Sequence, residues 1–474
     1  MKKLVLLLTI PVLALTLMYS CKKSDSSTNV SAAQIQLGQA ISDTAKLCGA
    51  IKGTMLANKT YTVTCDVTVN AGDTLLIQKG VTVKMTNSSN IIVNGTFISL
   101  GTKDAPSFIT DPRRTKTTGS SILSSDSAYR GGWGGIYCSA TCKLFVLKWT
   151  HLDFGGAALQ TVPFSGGPAV GDQYVVYYGT PAGDGNFIFE DSWLYGCPDD
   201  AVRLYGCHFN IMRNTLEKFG SNGGDGFNPK GGNIGNMAYN MFIGGATNGT
   251  KCANDNPISG IETKVAMYNN TYVNGGFRNS GTFGARAGSA EVENQSTGLV
   301  YNNIIVNCLT GYRIAGGNNA TAKVYHADTV NSSYGYNLMY ADSTSLANQF
   351  VPTNIAQAEQ TIPQHTDIPD MATFLHYPGS YTFGAIYDGS SLVGKNNPLF
   401  VNYPLPNYNY KTQASIDGYD FHLQSTSPAI GKGTTTAFSP IMNVPVDPNF
   451  GSSGITPPNK DLGCYPTDGT GNQH

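Results

Sequence analysis

Charged side chains are scarce in this chain of 474 residues. Only 13% of the residues are Asp, Glu, Lys or Arg, and the formal net charge is −1. Such a balance gives no general attraction to nucleic acid or to an anionic membrane surface. The chain also lacks a Gly-x-Ser-x-Gly elbow, a phosphate-binding loop and a dinucleotide fingerprint. We therefore expect neither a nucleic-acid partner nor nucleotide chemistry.

Long apolar runs are also missing, except for one at the N-terminus. Leu4–Met18 follows Met1-Lys2-Lys3 and is apolar over about fifteen residues, too few for a comfortable membrane span. Met18-Tyr-Ser-Cys21 resembles the cleavage box of bacterial lipoproteins, in which the cysteine carries the lipid. We predict a signal peptide over 1–20, lipidation of Cys21 and a solvated tether over 21–46. Ordinary secretion with a nearby cleavage site is the alternative.

Metal-binding patterns are absent as well. Ten cysteines are present, and export would place them in an oxidising compartment. Cys48 with Cys65 and Cys138 with Cys142 are candidate disulfides by proximity, although connectivity does not follow from sequence. No His or Cys pair lies at zinc-ligand spacing from Cys138 and Cys142. His151 alternates with apolar neighbours and is expected to be a packed or surface histidine, not a metal ligand.

Repetition is the most informative feature that the chain does have. A short pattern recurs at spacings of 23, 26, 30 and 33 residues, aligned on Asp191, Asn214, Asn240, Asn270 and Asn303. A drifting period of this length indicates one structural coil per copy, with loops of variable length. These positions are expected to stack at one corner, where amide side chains can bond the backbone and one another.

A second pattern is interleaved with the first. It aligns on Ala201, Gly226, Gly260, Gly284 and Gly311, at spacings of 25, 34, 24 and 27 residues. Each coil is therefore predicted to carry two short strands with alternating apolar positions. The 55 glycines and the absence of a competing helical period suit many short strands joined by tight turns.

The segment from Ile51 to Thr110 makes the fold expectation specific. It alternates with period two and is broken by turns such as Ala71-Gly-Asp73, and it is followed by Gly101-Thr-Lys-Asp-Ala-Pro106 and Gly131-Gly-Trp-Gly-Gly-Ile136. This order resembles exported lipoproteins of the pectate-lyase-like superfamily. The resemblance implies an all-β fold, a single-stranded right-handed parallel β-helix.

The C-terminal part supports the same expectation. Asn397-Pro-Leu-Phe-Val-Asn402 and Asp461-Leu-Gly-Cys-Tyr465 are similar to the closing sequence of secreted β-helix proteins. We predict the β-helix over 47–330, a loop-rich insertion over 331–396 with a short helix at Ile355–Glu359, and final coils with a C-terminal cap over 397–474. The chain is expected to be a monomer.

The second pattern also predicts a surface. Alternation places Val202, Phe227, Ile261, Ala285 and Tyr312 inward, and Arg203, Asn228, Glu262, Arg286 and Arg313 outward. Coils lie about 4.8 Å apart, so the outward side chains would form a stripe roughly 20 Å long. Guanidinium groups in such a stripe suit carboxylate or sulfate groups on a polymer, which makes it a candidate substrate-binding site. A solvated face with local ion pairs is the alternative.

Carboxylates in phase with the repeat are candidate catalytic groups. They are Asp199, Asp200 and Asp225, and the resemblance implies either an acid and base of a glycoside hydrolase or a Ca²⁺-assisted lyase with Arg203 or Lys230 as base. The full hydrolase signature is missing, and acidic residues at strand starts also bond turn amides.

Three functions follow as hypotheses. The first is a lipid-anchored protein at the outer membrane or cell surface that binds polysaccharide, which could be anionic, without a cofactor and with the lipid as its only membrane contact. The second is a polysaccharide lyase or glycoside hydrolase acting in the same groove, for which Ca²⁺ would be the cofactor of a lyase. The third is an adhesive or structural surface protein.

Overall fold

A computed structural model describes residues 35–117, 126–180, 182–221, 223–255, 260–277, 288–316, 327–328, 331–350, 360–361, 389–405, 416–441, 444–447 and 449–474. Most of these residues belong to a parallel β-helix in which the chain winds through three faces per coil. The prediction of an all-β solenoid is confirmed. The prediction of two strands per coil is wrong, because a third short strand completes every described coil except the last. The predicted helix at Ile355–Glu359, Cys21 and the signal peptide lie outside the described residues.

Face A is a ten-stranded parallel sheet. Its strands are β2 (Gly53–Met55), β4 (Thr74–Ile77), β7 (Thr96–Leu100), β10 (Leu144–Lys148), β13 (Gly185–Glu190), β16 (Cys207–Met212), β19 (Ile234–Ala238), β22 (Lys264–Tyr268), β25 (Thr297–Tyr301) and β28 (Ser333–Gly335). Inward phenylalanines stack from coil to coil on this face, at 5.2 Å from Phe97 to Phe145 and 4.9 Å from Phe145 to Phe187. These phenylalanines belong to the main hydrophobic core.

Face B follows face A in every coil. Its strands are β5 (Thr82–Met85), β8 (Ser107–Thr110), β11 (Thr150–Asp153), β14 (Trp193–Cys197), β17 (Thr215–Phe219), β20 (Met241–Ile243), β23 (Thr271–Val273), β26 (Ile304–Val306) and β29 (Leu338–Tyr340). The outermost described coil, β28 with β29, lies beyond residue 330, where the sequence predicted that the β-helix ends. The stack therefore extends into the range assigned to the irregular insertion.

Face C completes the coil. Its strands are β6 (Ile91–Val93), β9 (Ile136–Cys138), β12 (Val176–Gly179), β15 (Val202–Tyr205), β18 (Phe227–Gly231), β21 (Thr250–Cys252), β24 (Ala290–Val292) and β27 (Arg313–Gly316). Long β3 (Thr60–Val69) pairs with both β5 and β6 and so joins faces B and C, while β1 (Lys46–Ala50) pairs with β3 at the edge. Residues 35–41, assigned to the tether, already contact this first coil, since Ile41 donates to the Thr54 carbonyl.

The remaining described elements are short. They are α1 (Thr344–Ala347), 3-10 turns at Ser127–Arg130 and Ser390–Leu392, β30 (Gln360–Thr361) antiparallel to β27, and the antiparallel pair β31 (Phe400–Asn402) and β32 (Asp420–Leu423). The prediction that 397–474 adds final coils is wrong for its described strands, since β31 and β32 form a separate sheet. This segment instead lies along the outside of the β-helix, where Asn236 donates to Ile441 and Asn302 to Thr434.

The corner between faces A and B repeats one backbone geometry. Trp149, Asp191, Arg213, Tyr239, Asn269, Asn302 and Tyr336 all have positive φ. From Asp191 onward, the next residue in successive coils is Ser192, Asn214, Asn240, Asn270, Asn303 and Asn337. Each asparagine accepts the backbone N–H of the preceding coil, for example Asn214 N to Asn240 Oδ1 at 3.0 Å. The predicted ladder is confirmed for its four asparagines, whereas Asp191 is one residue out of register.

The cysteines divide into one disulfide and buried thiols. Cys48 and Cys65 are bonded, as the sequence suggested. Cys138 and Cys142 are free thiols, so their predicted pairing is wrong in this structure. Both are buried in the main core, where a thiol packs as a small apolar group.

Candidate functional site

The outward column of face C contains three of the five predicted binding residues. Tyr177 pairs with Arg203, and Arg203 pairs with Asn228. Thr250 pairs with Phe227, so Lys251 follows Asn228 in the column. Lys251 then pairs with Glu291, and Glu291 with Arg313. The prediction that Arg203, Asn228 and Arg313 lie in one outward column is confirmed.

Glu262 does not belong to this column. It lies in the connection between β21 and β22, where Thr297 Oγ1 donates to its carboxylate at 2.5 Å. Ile261 is half-buried and outside the core. The register prediction is wrong here because the long connection follows β21 instead of preceding it. Ala285 and Arg286 lie outside the described residues, whereas Val202, Phe227 and Tyr312 point into the core as predicted.

The column is not the open cationic stripe that the sequence suggested. Asn228, Lys251, Glu291 and Arg313 are at most 4% exposed. Lys251 Nζ lies 2.6 Å from Glu293, and Arg313 pairs with Glu291 and, at 3.1 Å, with Glu293. Because these charges neutralise one another within the protein, the stripe between β21 and β27 does not present free guanidinium groups to a polymer.

Asp200 and Asp225 are engaged in local hydrogen bonding. Asp200 accepts the Asp225 N–H at 2.7 Å and the Asn228 amide at 2.9 Å. Asp225 accepts the Thr247 hydroxyl at 2.6 Å and the Asn248 N–H at 3.1 Å. Both side chains are nearly fully buried. These contacts are those of carboxylates that hold consecutive turns together.

The other two candidate catalytic residues, Asp199 and Lys230, differ in their surroundings. Burial, followed by the charge of Asp200, raises the pKa of Asp199 to about 6. Lys230 pairs with Asp255 at 2.7 Å and not with the three aspartates. Over the described ranges, no three His, Cys, Asp or Glu side chains converge in a way that could hold a metal ion. Thus the described residues form no such cluster around Asp199, Asp200 and Asp225, and of the two candidate lyase bases only Arg203 lies beside them, paired with Asp200 at 2.7 Å.

A half-open cleft of about 370 Å³ lies at the start of the column, over β12 and β15. One wall is the connection from β11 to β12, which contributes Gly166–Ala169 and Asp172, and the floor is made by Tyr174, Tyr177, Gly179, Arg203 and Tyr205. Parallel register places Tyr177 beside Arg203 and Gly179 beside Tyr205. The volume falls within the range of about 300–1,000 Å³ that is usual for small-ligand sites.

Tyrosine rings dominate this cleft. Tyr177 lies 5.7 Å from Tyr205 with its plane tilted by 45°, and 6.2 Å from Tyr174. Tyr174 and Tyr177 are only 4% and 8% exposed, whereas Tyr205 is half-buried, so Tyr205 offers the most accessible ring for contact with the C–H face of a ring such as a sugar. Burial, then the neighbouring Tyr205, raises the pKa of Tyr177 to about 12, so its hydroxyl stays a neutral donor and acceptor at physiological pH.

Arg203 links the cleft to the turn beneath it. Its guanidinium lies 4.3 Å above the Tyr174 ring, donates to the Tyr174 hydroxyl at 2.6 Å and pairs with Asp200 at 2.7 Å. A planar cation held between a carboxylate and an aromatic ring is fixed in orientation. Arg203 therefore orders the floor of the cleft and keeps 22% of its side chain exposed for a ligand.

Sequence reasoning missed Tyr174 and Tyr177, whereas the same alternation places Tyr205 two residues after Arg203, at the flank of the predicted stripe. The signal was available in Gln173-Tyr-Val-Val-Tyr-Tyr178, because extending the outward column one coil before Arg203 gives Tyr177.

The predicted packing of His151 is confirmed: its ring is stacked between Phe108 and Trp193, at 4.5 and 3.9 Å. Burial chiefly lowers the pKa of His151 to about 2, so this ring is neutral.

Comparison with family models, curated proteins and solved structures gave no match. No helix within the described residues is long and apolar enough to cross a membrane.

Proposed function

We propose that this protein is an exported lipoprotein of the pectate-lyase-like type that binds a short segment of glycan in the tyrosine cleft of face C. The observation that carries the proposal is the grouping of Tyr174, Tyr177 and Tyr205 with Arg203 in one half-open cleft. Aromatic faces with a few oriented polar groups are suited to a ligand that is flat on one side and hydroxylated at its edge. The proposed ligand is therefore a segment of sugar units, and not a polymer spread along the whole column.

The disulfide supports the export part of the proposal. Disulfides persist in oxidising compartments, and Cys48–Cys65 fixes edge strand β1 to β3. A lipid on Cys21 would hold the protein at the outer membrane or cell surface.

The hydrogen bonds that the candidate catalytic carboxylates accept favour binding over catalysis. Asp200 and Asp225 are occupied by turn amides and side-chain donors. One observation favours the enzyme alternative: the pKa of Asp199, raised to about 6 by burial and then by Asp200, is that of a group able to exchange a proton near neutral pH. Asp199 is thus the residue on which a test for turnover should focus.

The decisive experiment uses protein lacking residues 1–21 on an array of neutral, amino and acidic oligosaccharides. Tyr177→Ala and Tyr205→Ala should each weaken the binding of any hit about tenfold or more, because each removes an aromatic face. Tyr419→Ala, a half-buried tyrosine in the C-terminal segment, is the matched control and should leave affinity unchanged. Equal loss in all three variants, or no hit on the array, would contradict glycan binding in this cleft and favour a purely structural surface protein.

Hits are then tested for turnover. Wild type and Asp199→Asn are incubated with the bound oligosaccharide, and reducing ends and ultraviolet-absorbing unsaturated products are measured. A binding protein releases neither product, whereas an enzyme releases one and loses it in Asp199→Asn by orders of magnitude.

A further inference from the structure

The charges around the tyrosine cleft do not suit an anionic ligand. Arg203 is the one cation that lines the cleft in the described part of the chain, and Asp200 compensates it at 2.7 Å. Asp172 also lines the cleft. Within the described residues, the Ala169 N–H is the only donor to its carboxylate. Asp199 is a further carboxylate whose charge acts on Tyr174. The net charge of these groups around the cleft is therefore negative.

The tyrosines experience this field. Burial is the main reason that the pKa of Tyr174 is raised, and Asp172, Asp200 and Asp199 raise it further against the opposing effect of Arg203. Asp172 likewise raises the pKa values of Tyr137 and Tyr177, after burial. Asp172 thus contributes negative potential at both Tyr174 and Tyr177, which line the cleft.

The neighbouring cation Lys230 does not make the net charge around the cleft positive. Lys230 lies further along face C, but its ammonium is paired with Asp255 at 2.7 Å. The ion pairs at Lys251 and Arg313 are likewise closed within the protein. A carboxylate or sulfate on a ligand would therefore meet Asp172 without an unpaired cation to compensate it among the described residues.

We infer that the tyrosine cleft selects glycans that are uncharged or carry an amino group, and discriminates against uronic-acid and sulfated glycans. This inference rests on the proposed glycan binding and reverses the sequence-based expectation of an anionic polysaccharide. A protonated amino sugar would place its ammonium near Asp172, whereas a uronate in the same position would meet like charge in a partly desolvated site.

The test uses three β-1,4-linked tetrasaccharides of the same length, made of glucose, glucosamine or glucuronic acid. Dissociation constants are measured by isothermal titration calorimetry at pH 7 and at two salt concentrations. We expect the glucosamine and glucose tetramers to bind more tightly than the glucuronate tetramer. Added salt should weaken only the glucosamine tetramer and should strengthen any residual glucuronate binding.

Asp172→Asn isolates the responsible charge. The substitution should improve glucuronate binding about three- to tenfold, weaken glucosamine binding by a similar factor, and change glucose binding less than about twofold. Asp43→Asn is the control, because Asp43 is an exposed carboxylate paired with Lys59 near the first coil. It should leave all three affinities unchanged.

The outcomes separate the two proposals. Glucuronate as the tightest ligand of wild type, or no response to Asp172→Asn, overturns the charge selectivity while glycan binding stands. Failure of all three tetramers to bind contradicts glycan binding itself for this backbone.

Discussion

The pKa of one aspartate is raised where the chain turns from face B to face C. Asp199 lies at such a turn, beside Asp200 and close to Asp225, and burial and then Asp200 raise its pKa to about 6. Asp200 itself has two donors and a cation to stabilise its charge. The folded state therefore retains a proton on Asp199 at a pH where the unfolded chain has already lost it.

That difference predicts a pH-dependent stability. Between the ordinary aspartate pKa of about 3.9 and the folded value, the native state binds more protons than the unfolded state, so stability falls as pH rises through this window. Asp199→Asn should melt at a higher temperature than wild type at pH 7.5 and at nearly the same temperature at pH 4. Thermal melts of both proteins across this range measure the difference. A constant gap at every pH would contradict the raised pKa.

At the scale of elements, the corner between faces A and B explains the regular stacking. One residue per coil adopts a left-handed conformation, which costs energy for a side chain other than glycine. The next backbone N–H then points at the adjacent coil, where an asparagine accepts it. The Asn ladder thus offsets a strained corner by satisfying buried backbone groups.

Asn270→Ala should disrupt this ladder. Asn270 accepts the Asn240 N–H at 3.0 Å and donates to the Met237 carbonyl at 3.0 Å and to Asn303 at 3.1 Å. Leaving these buried partners unpaired should cost about 2 to 5 kcal/mol in the free energy of unfolding, measured by urea denaturation. Asn402→Ala, which removes an exposed amide bonded to Gly418, is the control and should cost less than about 1 kcal/mol. Similar losses in both variants would refute a special role for the ladder.

The sequence predicted the ladder well because its period is carried by residues that must repeat. Asn214, Asn240, Asn270 and Asn303 each need the same amide in the same corner. It predicted the outward column poorly beyond Asn228, because connections of variable length separate the strands there. Glu262 and Lys251 lie in one coil, and only the hydrogen-bond register shows that Lys251 occupies the column.

The candidate site in the structure differs from the site predicted from the sequence for a related reason. Alternation identifies which side chains point outward, but not what they then meet. Arg313 and Lys251 point outward as charges of a stripe should, yet Glu291 and Glu293 close them into ion pairs. Tyr174 precedes its strand and reaches the cleft through a connection whose path has no periodic signal.

The whole molecule combines an elongated stack with attachments at its sides and, as proposed, its N-terminus. The lipid on Cys21 stays a prediction, and Cys21→Ser tests it. Without the proposed acyl chains, the protein should move from the membrane fraction to the soluble fraction or remain unprocessed, as followed by fractionation and mass spectrometry. An unchanged amount in the outer membrane would contradict lipid anchoring.

The C-terminal segment is the larger attachment. It crosses the outer side of face A, where Ser452 and Ser453 donate to the buried Glu190 and the Tyr268 hydroxyl donates to the Thr456 carbonyl. Arg213 connects the two layers. It pairs with Asp191 at 2.7 Å and donates to Thr456 at 2.6 Å and to Ser453 at 3.1 Å.

Arg213→Met should therefore loosen the attachment before the stack. The substitution leaves the carboxylates of Asp191 and Glu190 buried without their cation, at a cost of about 3 to 5 kcal/mol. Amide exchange in 449–474 should accelerate more than exchange in the strands of face A. Most of the penalty comes from a buried carboxylate that has lost its cation. The double variant Arg213→Met with Asp191→Asn should therefore be more stable than Arg213→Met alone. A double variant less stable than the single one would show that Arg213 acts through packing and not through its charge.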